Sequence, residues 1–235
     1  AFGFKALDSN TTASNNTAVG YQAGYANTTA TNNTILGYQA HYGGASSTGS
    51  QNTAIGVLTL QNVSSGSNNV AVGHNALYLN TTASNNTAVG YQAGYANTGG
   101  EGTFVGRLAG SLVTTGVGNT CIGSLSGQYG GATGPTTGSY NTLIGYGTRV
   151  GTGDNGSIVI GAPGSDNATT GKGSATGFIN ANGGGTYQGN NSASWSTTSD
   201  QRLKKNIVDN NDGLSKINAI RVRNFEYRLP EEVDA

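Results

Sequence analysis

Two adjacent apolar residues followed by glycine recur along the chain, as in "TAVG", "TILG", "TAIG", "VAVG", "TFVG", "TCIG", "TLIG" and "IVIG". The glycines are Gly20, Gly37, Gly56, Gly73, Gly90, Gly106, Gly123, Gly145 and Gly161. With Gly3 as an earlier copy, the spacings are 17, 17, 19, 17, 17, 16, 17, 22 and 16 residues. Ser, Thr, Asn, Gln and Tyr fill most of the intervals. A near-constant period of this size predicts a solenoid with one coil per repeat. The segment "NTTASNNTAVGYQAGYANT" occurs unchanged at 10–28 and 80–98.

Aligned by glycine, the repeats fall into columns. The residue before the glycine is branched aliphatic (Val19, Leu36, Ile55, Val72, Val89, Val105, Ile122, Ile144, Ile160) and reads as a buried stack. The residue before that is apolar too (Ala18, Ile35, Ala54, Ala71, Ala88, Phe104, Cys121, Leu143, Val159). Neighbours on a strand point to opposite faces, so both faces of this strand are expected to be covered. One faces the coil interior. The other calls for a second surface, most simply an adjacent subunit, and the Ala18/Ile35/Cys121 column is taken as the one that needs it.

Three residues after the glycine the chain stays small (Ala23, Ala40, Thr59, Ala76, Ala93, Ala109, Ser126, Thr148), which predicts close backbone approach. The glycine itself predicts a bend between two short strands. An Asn column (Asn16, Asn33, Asn52, Asn69, Asn86, Asn119, Asn141) marks where each coil re-enters its strand. Asn tolerates left-handed backbone angles, bonds its own turn and can bond from coil to coil. Because these Asn residues follow the period, a turn role outweighs glycosylation at the Asn-x-Thr triplets.

Charge sharpens the picture. Formal net charge is zero, with four basic and four acidic residues before Asp200 and seven of each from Asp200 to Ala235. Coils stacked about 4.8 Å apart place like positions in ladders, and a charged ladder repels itself at every step. About ten coils make a rod of roughly 45 Å. Neutrality gives no reason to expect nucleic acid or an anionic membrane as a partner. No apolar run approaches the length of a membrane span. The chain opens mid-pattern at "AFGFKAL" and reads as a fragment of a longer protein.

Other chemistry is sparse. His41 and His74 fall in different columns, replacing Gly24 and Tyr21 respectively, so no metal pair and no cofactor is expected. No phosphate loop and no glycosidase carboxylate pair is evident. Cys121 stands in an apolar column as a small buried side chain. Tyr21, Tyr38, Tyr91 and Tyr146 share one column and Tyr25, Tyr42, Tyr78 and Tyr95 another. Such columns can bind sugar, but stacking ladders that stabilise the coil are the preferred reading.

The repeats resemble the YadA-like head β-roll of trimeric autotransporter adhesins, on motifs such as "NNTAVGYQAG" over residues 1–161. Coils of that family are shorter. The resemblance implies a homotrimeric parallel β-roll. Residues 162–198 read as a Gly/Ser/Asn-rich neck of irregular strands. From Ser199, "SDQRLKKNI" leads into "GLSKINAI", with Leu214, Ile217 and Ile220 at helical spacing, and then "RVRNFEYR", which alternates as a strand. This stretch resembles the opening of the intramolecular chaperone domain of phage tail fibres and tailspikes, including endosialidases, and covers only residues 199–235. The resemblance implies a chaperone that holds three chains in register and then cuts itself off. It also implies a Ser/Lys dyad, matched here by Ser199 and Lys204, with cleavage beside Ser199. Either the Ser199–Asp200 or the Thr198–Ser199 bond is compatible with a serine nucleophile. A helix cap is the plainer role for Ser199 and Asp200.

The expected protein is therefore all-β: a parallel β-solenoid of about ten coils of ~17 residues, homotrimeric, with a short α+β C-terminal segment. Its expected role is structural, as a virion tail-fibre or tailspike shaft presenting or forming a host-attachment surface for a cell-surface receptor or glycan. The chaperone is expected to be released by autoproteolysis at Ser199. The alternative is a trimeric adhesin on a bacterial surface.

Overall fold

A computed structural model describes residues 1–44, 46–128, 137–162, 169–181, 184–189 and 195–197. Ala1–Thr198 is one compact unit. The helix and strand expected after Ser199 lie outside the described residues.

Among the described residues the fold is all-β, with no helix. Strands of three residues recur once per coil: β1 (Thr17–Val19), β2 (Thr34–Leu36), β3 (Thr53–Ile55), β4 (Val70–Val72), β5 (Thr87–Val89), β6 (Thr103–Val105), β7 (Thr120–Ile122) and β8 (Thr142–Ile144). β9 (Ile158–Ala162) and β10 (Gly177–Ala181) continue the series. These ten strands pair in parallel and in sequence order, about nine turns of solenoid. Register follows the columns, as in Thr17↔Thr34, Ala18↔Ile35 and Val19↔Leu36. The parallel ladder does not stop at Gly161: Phe178 pairs with Val159 and is buried. The change comes at β11 (Gly184–Gln188) and β12 (Trp195–Thr197), which add antiparallel.

The middle residue of each strand points inward. Ala18, Ile35, Ala54, Ala71, Ala88, Phe104, Cys121, Leu143 and Val159 are all buried within one chain. This corrects the expectation that the Ala18 column needs a partner; it is the core. The column before the glycine, expected to be a buried stack, faces outward instead. Val19 is 36% exposed, Leu36 47% and Ile160 38%.

The inward column varies from Ala to Phe, and glycines absorb the variation. A Cβ on Gly102 would lie 2.5 Å from the Phe104 ring, one on Gly94 2.7 Å, and one on Gly110 would overlap it. The column glycines serve a second purpose. Gly20 and Gly37 have φ of 136° and 139°, a region L side chains avoid. A Cβ on either would run into the carbonyl of the corresponding glycine one coil on. Gly3 sits against Gly20 in the same way, so it does belong to an earlier copy.

The chain beyond the glycine is not a second strand. Left-handed residues alternate there, as at Gln22 (φ 53°) and Gly24 (φ 63°), and again at Gln39 and His41. The Gln22 N–H donates back to the Phe4 carbonyl at 2.8 Å, whereas Gly24 N–H donates forward to Ala40 at 3.0 Å. The arm thus satisfies its backbone by bonding both neighbouring coils. A bend into a second strand was the expectation; the small residues Ala23, Ala40 and Ala93, all buried, permit this tighter path.

The Asn column bonds from coil to coil as expected. Asn52 Oδ1 accepts from the Asn69 N–H at 2.9 Å and from Asn69 Nδ2 at 3.1 Å. Asn69 Oδ1 repeats this with Asn86, and Asn119 Oδ1 with Asn141. The left-handed residue, however, is the one before the column: Asn15, Asn32, Gln51, Asn68, Asn85, Glu101 and Tyr140. The column Asn is not left-handed, and its side chain bonds the neighbouring coil. Where Gly102 interrupts the column to house Phe104, Asn97 Nδ2 donates to Asn86 Oδ1 at 3.1 Å.

Candidate assembly face and cleavage junction

In a three-residue strand whose middle residue is inside, the first and third must face out. The third is always Val, Leu or Ile. The result is an outward apolar ladder, Val19 to Ile160 and on to Ile179, exposed or half-buried along its length. Ten such residues at strand spacing run for about 43 Å. At its far end the ladder borders a shallow recess lined by Ile158, Thr176, Ile179 and Gln188. Monomeric proteins rarely expose a continuous apolar patch of this extent unless a partner covers it.

Aromatic ladders lie beside the strand. Phe4, Tyr21 and Tyr38 stack with centroids 5.5 and 5.3 Å apart, and His74 stacks on Tyr91 at 5.5 Å. The second column stacks as Tyr25–Tyr42 at 5.0 Å and Tyr78–Tyr95 at 5.1 Å. These rings turn their faces to one another. A sugar stacks on a ring face, so the geometry favours coil-stabilising ladders.

Among the described residues no three His, Cys, Asp or Glu side chains cluster as metal ligands. His41 is buried in the core with neither ring nitrogen bonded, and burial lowers its pKa to about 4. Cys121 is buried, and desolvation raises its thiol to about 12, so it is a packing residue with no nucleophilic thiolate. No described helix is long and apolar enough to cross a membrane. Ser199, Asp200 and Lys204 lie outside the described residues.

The outward face could have been told from the core by one signal in the sequence. The Ala18 column changes size, and its changes are matched by Gly94, Gly102 and Gly110. The Val19 column needs no such compensation, as befits side chains that do not share a closed interior.

Residues 199–235 match the family model described as chaperone of endosialidase. No curated protein and no solved structure matches the chain. A parallel β-solenoid followed by a segment that matches the chaperone-of-endosialidase model fits a phage tail fibre with a C-terminal chaperone domain.

Proposed function

We propose that the chain is one subunit of a homotrimeric tail fibre. Its solenoid, which starts in the repeats of 1–161 and runs on through β10, is the shaft, the antiparallel β11 and β12 belong to a neck that ends before Ser199, and 199–235 is the start of the chaperone. The single observation that carries the reading is the outward aliphatic ladder. It is continuous over ten strands, uncharged, and lies on a chain whose C-terminal segment belongs to a trimer-assembling family type. Burying that ladder between copies removes it from water at about 25 cal/mol per Å² of apolar surface. The assembled shaft presents or forms the host-attachment surface, and the virion is its location. The test is the mass in solution of the chain and of Leu36→Asp. Trimer for the first and monomer for the second, with the same circular dichroism, is the expected result; a stable wild-type monomer would sink the reading.

The junction is proposed to be cut once in the precursor, beside Ser199, after assembly. The Ser199 hydroxyl attacks the carbonyl of the bond that is cut, Lys204 takes its proton and passes it to the leaving amine, and water then hydrolyses the ester so formed. A lysine does this only with a lowered pKa, which burial or the nearby cations Arg202 and Lys205 would supply. Ser199→Ala and Lys204→Ala should each give an uncut, folded chain, and Lys205→Ala one cut more nearly normally, by denaturing gel and terminal sequencing. Cleavage that survives Ser199→Ala removes the dyad.

A further inference from the structure

We propose that residues 20–89 are a length cassette: four whole coils that can be removed or repeated without giving the rest of the solenoid a new core contact. The identical segments 10–28 and 80–98 are offset by 70 residues, the distance from Gly20 to Gly90. Identity of sequence alone would not make the coils exchangeable. Each copy must also meet equivalent neighbours, and the structure provides them.

The coil starting at Gly20 rests on the one starting at Gly3 as the coil at Gly90 rests on the one at Gly73. Gly20 N–H donates to Phe2 at 2.8 Å and Gly90 N–H to Val72 at 2.8 Å. Gln22 donates to Phe4 at 2.8 Å and Gln92 to His74 at 2.9 Å. Leu7 N–H donates to Ala23 at 3.0 Å and Leu77 N–H to Ala93 at 3.0 Å. Inside, a Cβ on Gly24 would lie 2.8 Å from Leu7 Cδ2, and one on Gly94 2.9 Å from Leu77 Cδ2. The same leucine fills the same glycine gap in both places.

Joining Val19 to Gly90 therefore stacks 90–105 on 3–19 through contacts the chain already makes. Ala18 takes the place of Ala88 against Phe104, and Gly94, Gly102 and Gly110, which house that ring, all remain. The substitutions this entails (Phe4, Lys5, Asp8 and Ser9 for His74, Asn75, Tyr78 and Leu79) fall on exposed or half-buried positions. The outward ladder stays unbroken, with Val19 followed by Val105 as Val89 is now. A junction anywhere within the repeated segment gives the same chain. Length thus changes in four-coil steps of about 19 Å.

The test compares two deletions in the full chain. One removes 20–89. The control removes 37–105, also four whole coils, but it sets Gly110 against Gly24 with the smaller Ile35 in place of the Phe104 ring that filled the space. The 20–89 deletion should melt in one cooperative transition within a few degrees of the full chain. Its solenoid should be shorter by about 19 Å in small-angle scattering. The control should melt lower or aggregate. Aggregation, a non-cooperative melt or an unchanged length for the 20–89 deletion overturns the proposal. So does a control that melts as well as the 20–89 deletion, since coils would then be interchangeable anywhere. None of these outcomes bears on whether the chain trimerises, which the mass measurement above decides separately.

Discussion

Acid should weaken this solenoid at one residue. His41 is fully buried with both ring nitrogens unbonded, so protonation in the fold would place an unpaired charge in the interior. Its pKa is lowered to about 4 from 6.5, by desolvation. Above pH 6.5 the imidazole is neutral in both folded and unfolded chains, and this contribution to stability is fully present. As pH falls from 6.5 to 4 the unfolded chain takes up a proton that the folded chain refuses, so stability is lost across that window. Below 4 both states are protonated and the loss levels off. A gap of about 2.5 pH units at 1.36 kcal/mol each is about 3 kcal/mol. The perturbation is His41→Leu, since Leu60 occupies the equivalent position one coil on and is buried there. Denaturant melts of both chains at pH 7.5, 6.0, 5.0 and 4.0 give the difference directly. The wild type should lose about 3 kcal/mol relative to His41→Leu between pH 6.5 and 4. At neutral pH the leucine should be no less stable, because it removes a buried donor worth about 1–3 kcal/mol when unbonded. Parallel curves for the two chains would refute the reasoning.

Further outcomes follow from the coil geometry. Gly110→Ala strains a left-handed backbone (φ 59°) and drives a methyl into the Phe104 ring, so thermal melts should show a loss of about 2–5 kcal/mol. Asn69→Ala removes the acceptor of the Asn86 N–H and Nδ2 and the amide donor to the Ala83 carbonyl, while the backbone N–H to Asn52 Oδ1 stays, and should cost about 2–4 kcal/mol by denaturant titration. Cys121 should react with a thiol reagent only after denaturation, since it is buried and its thiol is held protonated at neutral pH.

Period, parallel pairing and register were legible because they depend on where Gly and the aliphatic pair fall, and those positions repeat. The Asn ladder was legible for the same reason. The inward and outward columns were exchanged because both are apolar, and alternation says only that they differ in direction. The arm after the glycine was misread as a strand. Its left-handed positions are filled by Gln, Leu and Asn as well as Gly, residues with no shared composition to signal them. The continuation through Phe178 was hidden because Asn180 stands where the pattern has glycine, although Phe178 and Ile179 keep the apolar pair. Ser199, Asp200 and Lys204 remain a reading of sequence, since they lie outside the described residues.

The glycine column has a mechanical consequence. From Gly3 to Gly145, each alpha-carbon sits where a single added carbon would meet the backbone of the next coil. Along that edge the solenoid is in main-chain contact from coil to coil, with no side chain between to compress. A load pressed along the axis is therefore carried by peptide groups on one edge and by softer side-chain ladders elsewhere. The shaft should resist shortening at the glycine edge and yield, if it bends, by opening away from it.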